Sequence, residues 1–148
     1  MTNNMIYLRQ YDWLLHVFFD VTPKDVYDVI VALEDAAISA NIIRRSVSLM
    51  KKGEYNYGFT ATNSIIKETI IVIGEHTSRE DFLNTMQHEI RHLVDDIAVN
   101  YGLVSNGEEV GYMTGTINTL LAQNIDKYFC SCQHSDRQDS RQIILATE

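Results

Sequence analysis

Two periods of apolar residues run through this chain, a strand-like one in its first half and a helical one in its second. After a polar start, Trp13 to Val21 is rich in aromatic and branched residues and predicts a buried strand. Thr22-Pro23 then marks a helix start, threonine as N-cap and proline at the first helical position. Val26, Ile30, Leu33 and Ala37 carry that helix on one face to about Ser39. Ile42 to Met50 reads as a second strand, closed by the turn Lys51-Lys52-Gly53. Tyr55 to Thr62 alternates large and small residues as a half-buried strand does, and Asn63-Ser64 marks the next turn. Ile65 to Ile73 is the strongest strand signal, ended by Gly74.

From Arg79 onward the period becomes helical. Ser78 is a good N-cap, Glu80 and Asp81 suit the positive end of a helix, and Gly102 suits a C-terminal stop. Between them Phe82, Met86, Ile90, Leu93, Ile97 and Tyr101 form one apolar stripe. Ser105-Asn106-Gly107 breaks the pattern. Glu108 to Phe129 forms a last helix on Val110, Met113, Ile117, Leu121, Ile125 and Tyr128. The order of elements predicts one α+β domain over residues 1–130, a small mixed β-sheet with an N-terminal helix and two C-terminal helices. Residues 131–148 form a polar, mobile tail in this reading, interrupted by Ile143-Ile144-Leu145.

Composition narrows the class of function. At 148 residues, 45% hydrophobic, with a single proline, the chain can bury a core without disulfides. A formal charge of −8 argues against a nucleic-acid partner, which would need a basic stripe. The apolar run Trp13 to Phe19 is broken by His16 and lacks a basic leader and a cleavage site, so neither a signal peptide nor a membrane span is expected, and a cytoplasmic location follows. Cys130, Cys132 and His134 stand too close for the usual zinc-module spacing and read as free side chains of the tail.

The chemistry concentrates in the pentad His88-Glu89-Ile90-Arg91-His92. Residues four apart stack on a helix, so His88 and His92 can aim two imidazoles at one ion with Glu89 beside them. Stepping about 100° per residue, the two histidines fall opposite the apolar stripe, giving the helix a core face and a metal face. A neutral imidazole pair suits zinc, and a catalytic zinc site uses three protein ligands plus water. Asp95 and Asp96 climb away from the ion along the same helix and serve better as hydrogen-bond acceptors or surface charges. Glu108 and Glu109 open the next helix, which an antiparallel return brings against the first.

With these residues in place, the segment from Thr85 to about Leu121 resembles the gluzincin group of metallopeptidases, in which HExxH on one helix is completed by a glutamate on the next. In that pattern apolar residues follow the ligand glutamate two, five and nine positions on, which from Glu108 are Val110, Met113 and Ile117. The run Glu108 to Gly115 also looks like the second helix of small phage-type zinc peptidases. The resemblance implies a zincin-like fold, a zinc cofactor and a protein or peptide substrate. It implies metal ligands His88, His92 and Glu108, with Glu109 as alternate, and makes the strand before the metal helix the sheet edge that receives substrate. The Met-turn group is excluded, because Asp95 and Ala98 stand where it needs glycine and a third ligand. The spacing from His92 to Glu108 is shorter than in thermolysin, and no second lobe walls a cleft.

The resulting expectation is a zinc peptidase with Glu89 as general base and Tyr112 as donor to a developing oxyanion. Its rivals are a zincin-like binding module that grips an extended protein segment along an edge strand without cutting it, and a small phage-type structural protein whose zinc site merely stabilises the fold.

Overall fold

The computed structural model describes residues 1–129 and 143–145. Cys130, Cys132, His134 and nearly all of the expected tail lie outside the described residues. The fold is α+β: a mixed sheet with helices on both faces. Its strands are β1 (Thr2–Leu8), β2 (Trp13–Val21), β3 (Gly58–Asn63), β4 (Glu68–Gly74) and the short β5 (Ile143–Leu145), in the spatial order β3-β4-β2-β1-β5. β1 pairs antiparallel with β2, β2 parallel with β4, and β3 antiparallel with β4. β5 lies parallel to β1.

The first helix is cut short by local chemistry. The Thr22 hydroxyl accepts from the Lys24 amide, and Asp25 Oδ2 accepts from the Thr22 amide at 2.8 Å, closing a capping box around a 3₁₀ turn. Helix α1 (Val26–Asp35) follows and stops four residues before the expected Ser39. There Ala37 adopts a left-handed φ of 52°, and the Asn63 amide donates to the carbonyls of Ala36 and Ala37. The chain then enters α2 (Ala40–Lys51), where a strand was expected. Ser46 and Met50 of α2 are buried one helical turn apart, with Ile43 and Val47 packed on the same core, while Arg44, Arg45 and Lys51 are exposed. That is a helical stripe, and burying it outweighs the strand preference of isoleucine and valine.

Alternation on the strands assigns the two faces. Ile6, Leu8, Trp13, Leu15, Val17, Phe19, Ile71 and Ile73 join one core with α3 (Arg79–Tyr101) and α4 (Glu108–Phe129). Phe18, Ala61, Ile70 and Val72 join the other with α1 and α2. The two long helices begin where capping chemistry puts them. Ser78 accepts from the Asp81 amide at 3.1 Å, and Gly102 closes α3 at a φ of 65°. Among the described residues no helix is long and apolar enough to cross a membrane.

β4 is not the edge of the sheet, as the gluzincin resemblance implies, but lies between β3 and β2. The reason is the turn at Asn63, whose side-chain oxygen accepts from the amides of Ile65 and Ile66. Ile65 is thereby left 92% exposed in the turn, and the strand starts only at Glu68. The preceding strand, β3, becomes the edge.

Candidate metal centre

α3 packs against β3 and β4, so its polar face lies beside the sheet edge. Phe82, Met86, Ile90, Leu93 and Ile97 are fully buried, each contributing roughly 1.5–3 kcal/mol by leaving water. His88 and His92 sit on the exposed side of the same helix. Their Nε2 atoms are 3.1 Å apart, with the rings nearly perpendicular at 83°. Two neutral imidazoles that both direct lone pairs inward at this distance repel unless a proton or a cation lies between them. Two nitrogens bound to one tetrahedral zinc would stand roughly 3.3 Å apart, given metal–nitrogen bonds of about 2.05 Å. The pair therefore fits as two of the donors of a zinc site.

Glu89 occupies the quadrant between the histidine pair and the sheet. Only 4% of it is exposed, an unusual state for a carboxylate. Its burial is compensated by the Thr60 hydroxyl on β3, which donates to Oε2 at 2.7 Å and also approaches the Glu89 carbonyl at 3.2 Å. The close approach is possible because β3 presents Gly58, Thr60 and Thr62 to this face. A Cβ on Gly58 would stand 2.7 Å from Thr85 Cγ2 and 3.0 Å from Glu89 Cγ. Beneath them Thr62 and Thr69 hydroxyls lie 2.9 Å apart, and Trp13 Nε1 donates to Thr69.

His76, which sequence reading left unassigned, has a structural post. Its Nδ1 donates to the Gly74 carbonyl at 2.7 Å, which leaves Nε2 to accept from the Thr85 hydroxyl at 2.9 Å. Thr85 is thereby held one helical turn before Glu89. Neither Thr60 nor Gly58 was recognised from sequence, although the small-residue alternation Gly58, Thr60, Thr62 on a strand was the available signal.

The residues expected to complete the site are spread out. Gln87 Nε2 donates to Asn118 Oδ1, setting the level at which α3 and α4 run side by side. Glu108 is ten residues earlier on α4, about 15 Å along its axis, while His92 is only five residues, about 7.5 Å, beyond Gln87. Glu109 is engaged elsewhere, its Oε1 accepting from Tyr11 OH at 3.5 Å. Burial, with help from Glu109, pushes the Tyr11 hydroxyl up. Glu108 is exposed, with no hydrogen bond or ion pair among the described residues. Tyr112 is 75% exposed on the outer side of α4. Asp95 pairs with Arg91 at 2.9 Å, and Asp96 is half-buried. Among the described residues no three histidine, cysteine, aspartate or glutamate side chains are brought together into a group able to hold a metal ion.

No family model, curated protein or solved structure matches this chain. The functional reading therefore rests on the residues themselves.

Proposed function

We propose that this protein is a zinc-dependent peptidase of zincin-like architecture, with a cytoplasmic protein or peptide as substrate. The observation that carries the reading is the convergence of His88 and His92 Nε2 atoms at 3.1 Å on the exposed side of a helix whose next residue, Glu89, is a buried carboxylate. In this reading His88 and His92 hold the ion. Glu108 is the third donor and Glu109 the alternate; of the two, Glu108 is the one whose carboxylate is not already engaged. Zinc, when bound, supplies a water acidified toward pKa ~7 and polarises the scissile carbonyl.

The chain's own groups supply the rest. Glu89 accepts the proton of the attacking water and passes it to the leaving amine nitrogen. The Thr60 hydroxyl fixes Oε2 and leaves Oε1 for the transfer. An extended peptide lies along β3, which is paired only with β4 among the described residues and so has one row of backbone groups open. Tyr112 is the proposed donor to the oxyanion.

One observation favours a second reading, a binding module that holds a segment along β3 without cutting it: the described residues assemble no third metal donor beside the histidine pair. The separating experiment is Glu89→Gln in a proteome-wide cleavage screen with metal content measured in parallel. The peptidase reading expects zinc retained and cleavage abolished. A parent protein that captures extended peptides yet cuts none, or a Glu89→Gln protein as active as the parent, sinks it.

A further inference from the structure

The open edge of β3 has a definite alternation. The Gly74 amide donates to the Tyr57 carbonyl at 2.9 Å, and Gly58 stands opposite Ile73 in the antiparallel register. Bonded and non-bonded pairs alternate in such a ladder, so Phe59, Ala61 and Asn63 direct their backbone groups to β4, while Gly58, Thr60 and Thr62 turn theirs to the open side. Gly58 and Thr60 are also the residues that meet α3, against Thr85 and Glu89. A strand added along this edge continues the pleat, with every second side chain on the α3 face and the others on the opposite face.

That opposite face belongs, at this edge, to α2. α1 stands over β2 and β4, where Val31 and Ala32 share a cleft with Leu14, Phe18 and Ile70. α2 packs beside α1 and joins the core of Phe59 and Ala61 through Ile43, Val47 and Leu49. α2 and the residue after it carry Arg44, Arg45, Lys51 and Lys52, four of the chain's twelve lysines and arginines, and residues 40–52 contain no aspartate or glutamate. All four are exposed, and among the described residues none forms an ion pair; Arg44 donates to Asn41 of its own helix. In a chain of net charge −8 this is a cationic face without a counter-charge.

The charge chooses between occupants of the edge. β3, with the sequence GFTATN, carries no lysine or proline to discourage pairing, so a second copy could in principle add to it. Two copies paired antiparallel through β3 are related by a two-fold axis normal to the sheet, which gathers both cationic helices on one face, like charge against like. An acidic segment reverses the sign of that contribution. The spacing suits it as well: Arg44 and Lys51 are about 10.5 Å apart along the helix axis, and side chains two and four positions apart on a strand are separated by about 7 and 13 Å.

We propose that the segment received along β3 is acidic, with aspartate or glutamate at alternate positions directed toward Arg44, Arg45, Lys51 and Lys52 and the intervening side chains facing the histidine pair. The inference names the substrate class of the proposed site and rests on the reading of β3 as its receiving edge.

The test is amide chemical-shift mapping of the full chain with blocked nine-residue peptides that alternate threonine with glutamate, glutamine or lysine. A chelator is present, so neither zinc nor cleavage enters the result. The glutamate peptide should shift the amides of Gly58, Thr60 and Thr62 together with those of α2, and bind at least about tenfold more tightly than the glutamine peptide at low salt, with the advantage shrinking in about 0.5 M salt. The lysine peptide should bind most weakly. Arg44→Gln/Lys51→Gln and Arg45→Gln/Lys52→Gln, all at exposed positions, should each lower affinity for the glutamate peptide several-fold and leave that for the glutamine peptide unchanged. Equal binding of the glutamate and glutamine peptides with shifts in β3 overturns the acidic preference and leaves the receiving edge standing. Shifts absent from β3 with every peptide overturn the proposal together with the receiving edge. Tighter binding of a single-stranded thymidine oligonucleotide, with shifts confined to α2, overturns it in favour of a phosphate-rich partner.

Discussion

The Thr60 hydroxyl donates to the buried Glu89 carboxylate at 2.7 Å, tying the edge strand of the sheet to the helix that carries the histidine pair. Removing this donor leaves a carboxylate that is 4% exposed without its side-chain partner. Thr60→Val should therefore destabilise the fold by about 1.5–3 kcal/mol in urea titration, whereas Thr60→Ser, which keeps the hydroxyl, should cost much less. Equal stability of the valine variant and the parent would mean that the bond contributes nothing.

The contact between β3 and α3 also depends on the absence of a side chain at Gly58. Gly58→Ala places a methyl 2.7 Å from Thr85 Cγ2, and the expected loss is about 1–3 kcal/mol from overpacking. Thr85→Ser deletes that methyl while keeping the hydroxyl that serves His76, so adding it to Gly58→Ala should restore part of the loss. A double variant no more stable than the sum of the single changes would place the strain elsewhere.

Tyr57 predicts an alkaline limit to stability. Its ring fills the space that a Cβ on Gly74 would need. Burial, reinforced by Asp25 and Glu75, pushes its hydroxyl from 10.0 up to about 12. A tyrosine raised in this direction holds its contribution below the unfolded pKa of 10.0 and loses it as pH climbs toward 12. Denaturant titrations at about pH 8 and about pH 11 should show the parent losing more stability over that interval than Tyr57→Phe, which has nothing to titrate. Equal losses would remove Tyr57 as a cause.

What the sequence made legible was whatever short-range chemistry decides. Ser78 and Gly102 bound α3 where they were expected to, and Trp13 to Val21 is β2 to the residue. Where the reading failed, tertiary contacts decided. In α2, Ile43, Val47 and Met50 follow helical spacing, but the cluster of branched residues around them resembles a strand until the core beneath is known. β1 was missed because Asn3 and Asn4 mask its alternation, although Asn4, Ile6 and Leu8 are all buried on one face. The histidine pair was legible because two residues of one helix define it. The environment of Glu89 was not, since Thr60 lies 29 positions away and reaches it only through the packing of α3 on β3. The same holds for the distance of Glu108 from the histidine pair, which depends on how far α4 slides along α3, a quantity that no local pattern encodes.

The central claim is tested most directly by the zinc content of the purified full chain, measured by mass spectrometry of the metal, for the parent and for His88→Ala and His92→Ala. The account expects about one zinc ion per parent chain and its loss in both variants, because the two imidazoles act together. Glu108→Gln and Glu109→Gln, titrated against a chelator, then rank the third donor, with the larger loss expected at Glu108. A parent chain free of zinc when purified from zinc-replete cells, or zinc content unchanged when either histidine is replaced, would contradict it.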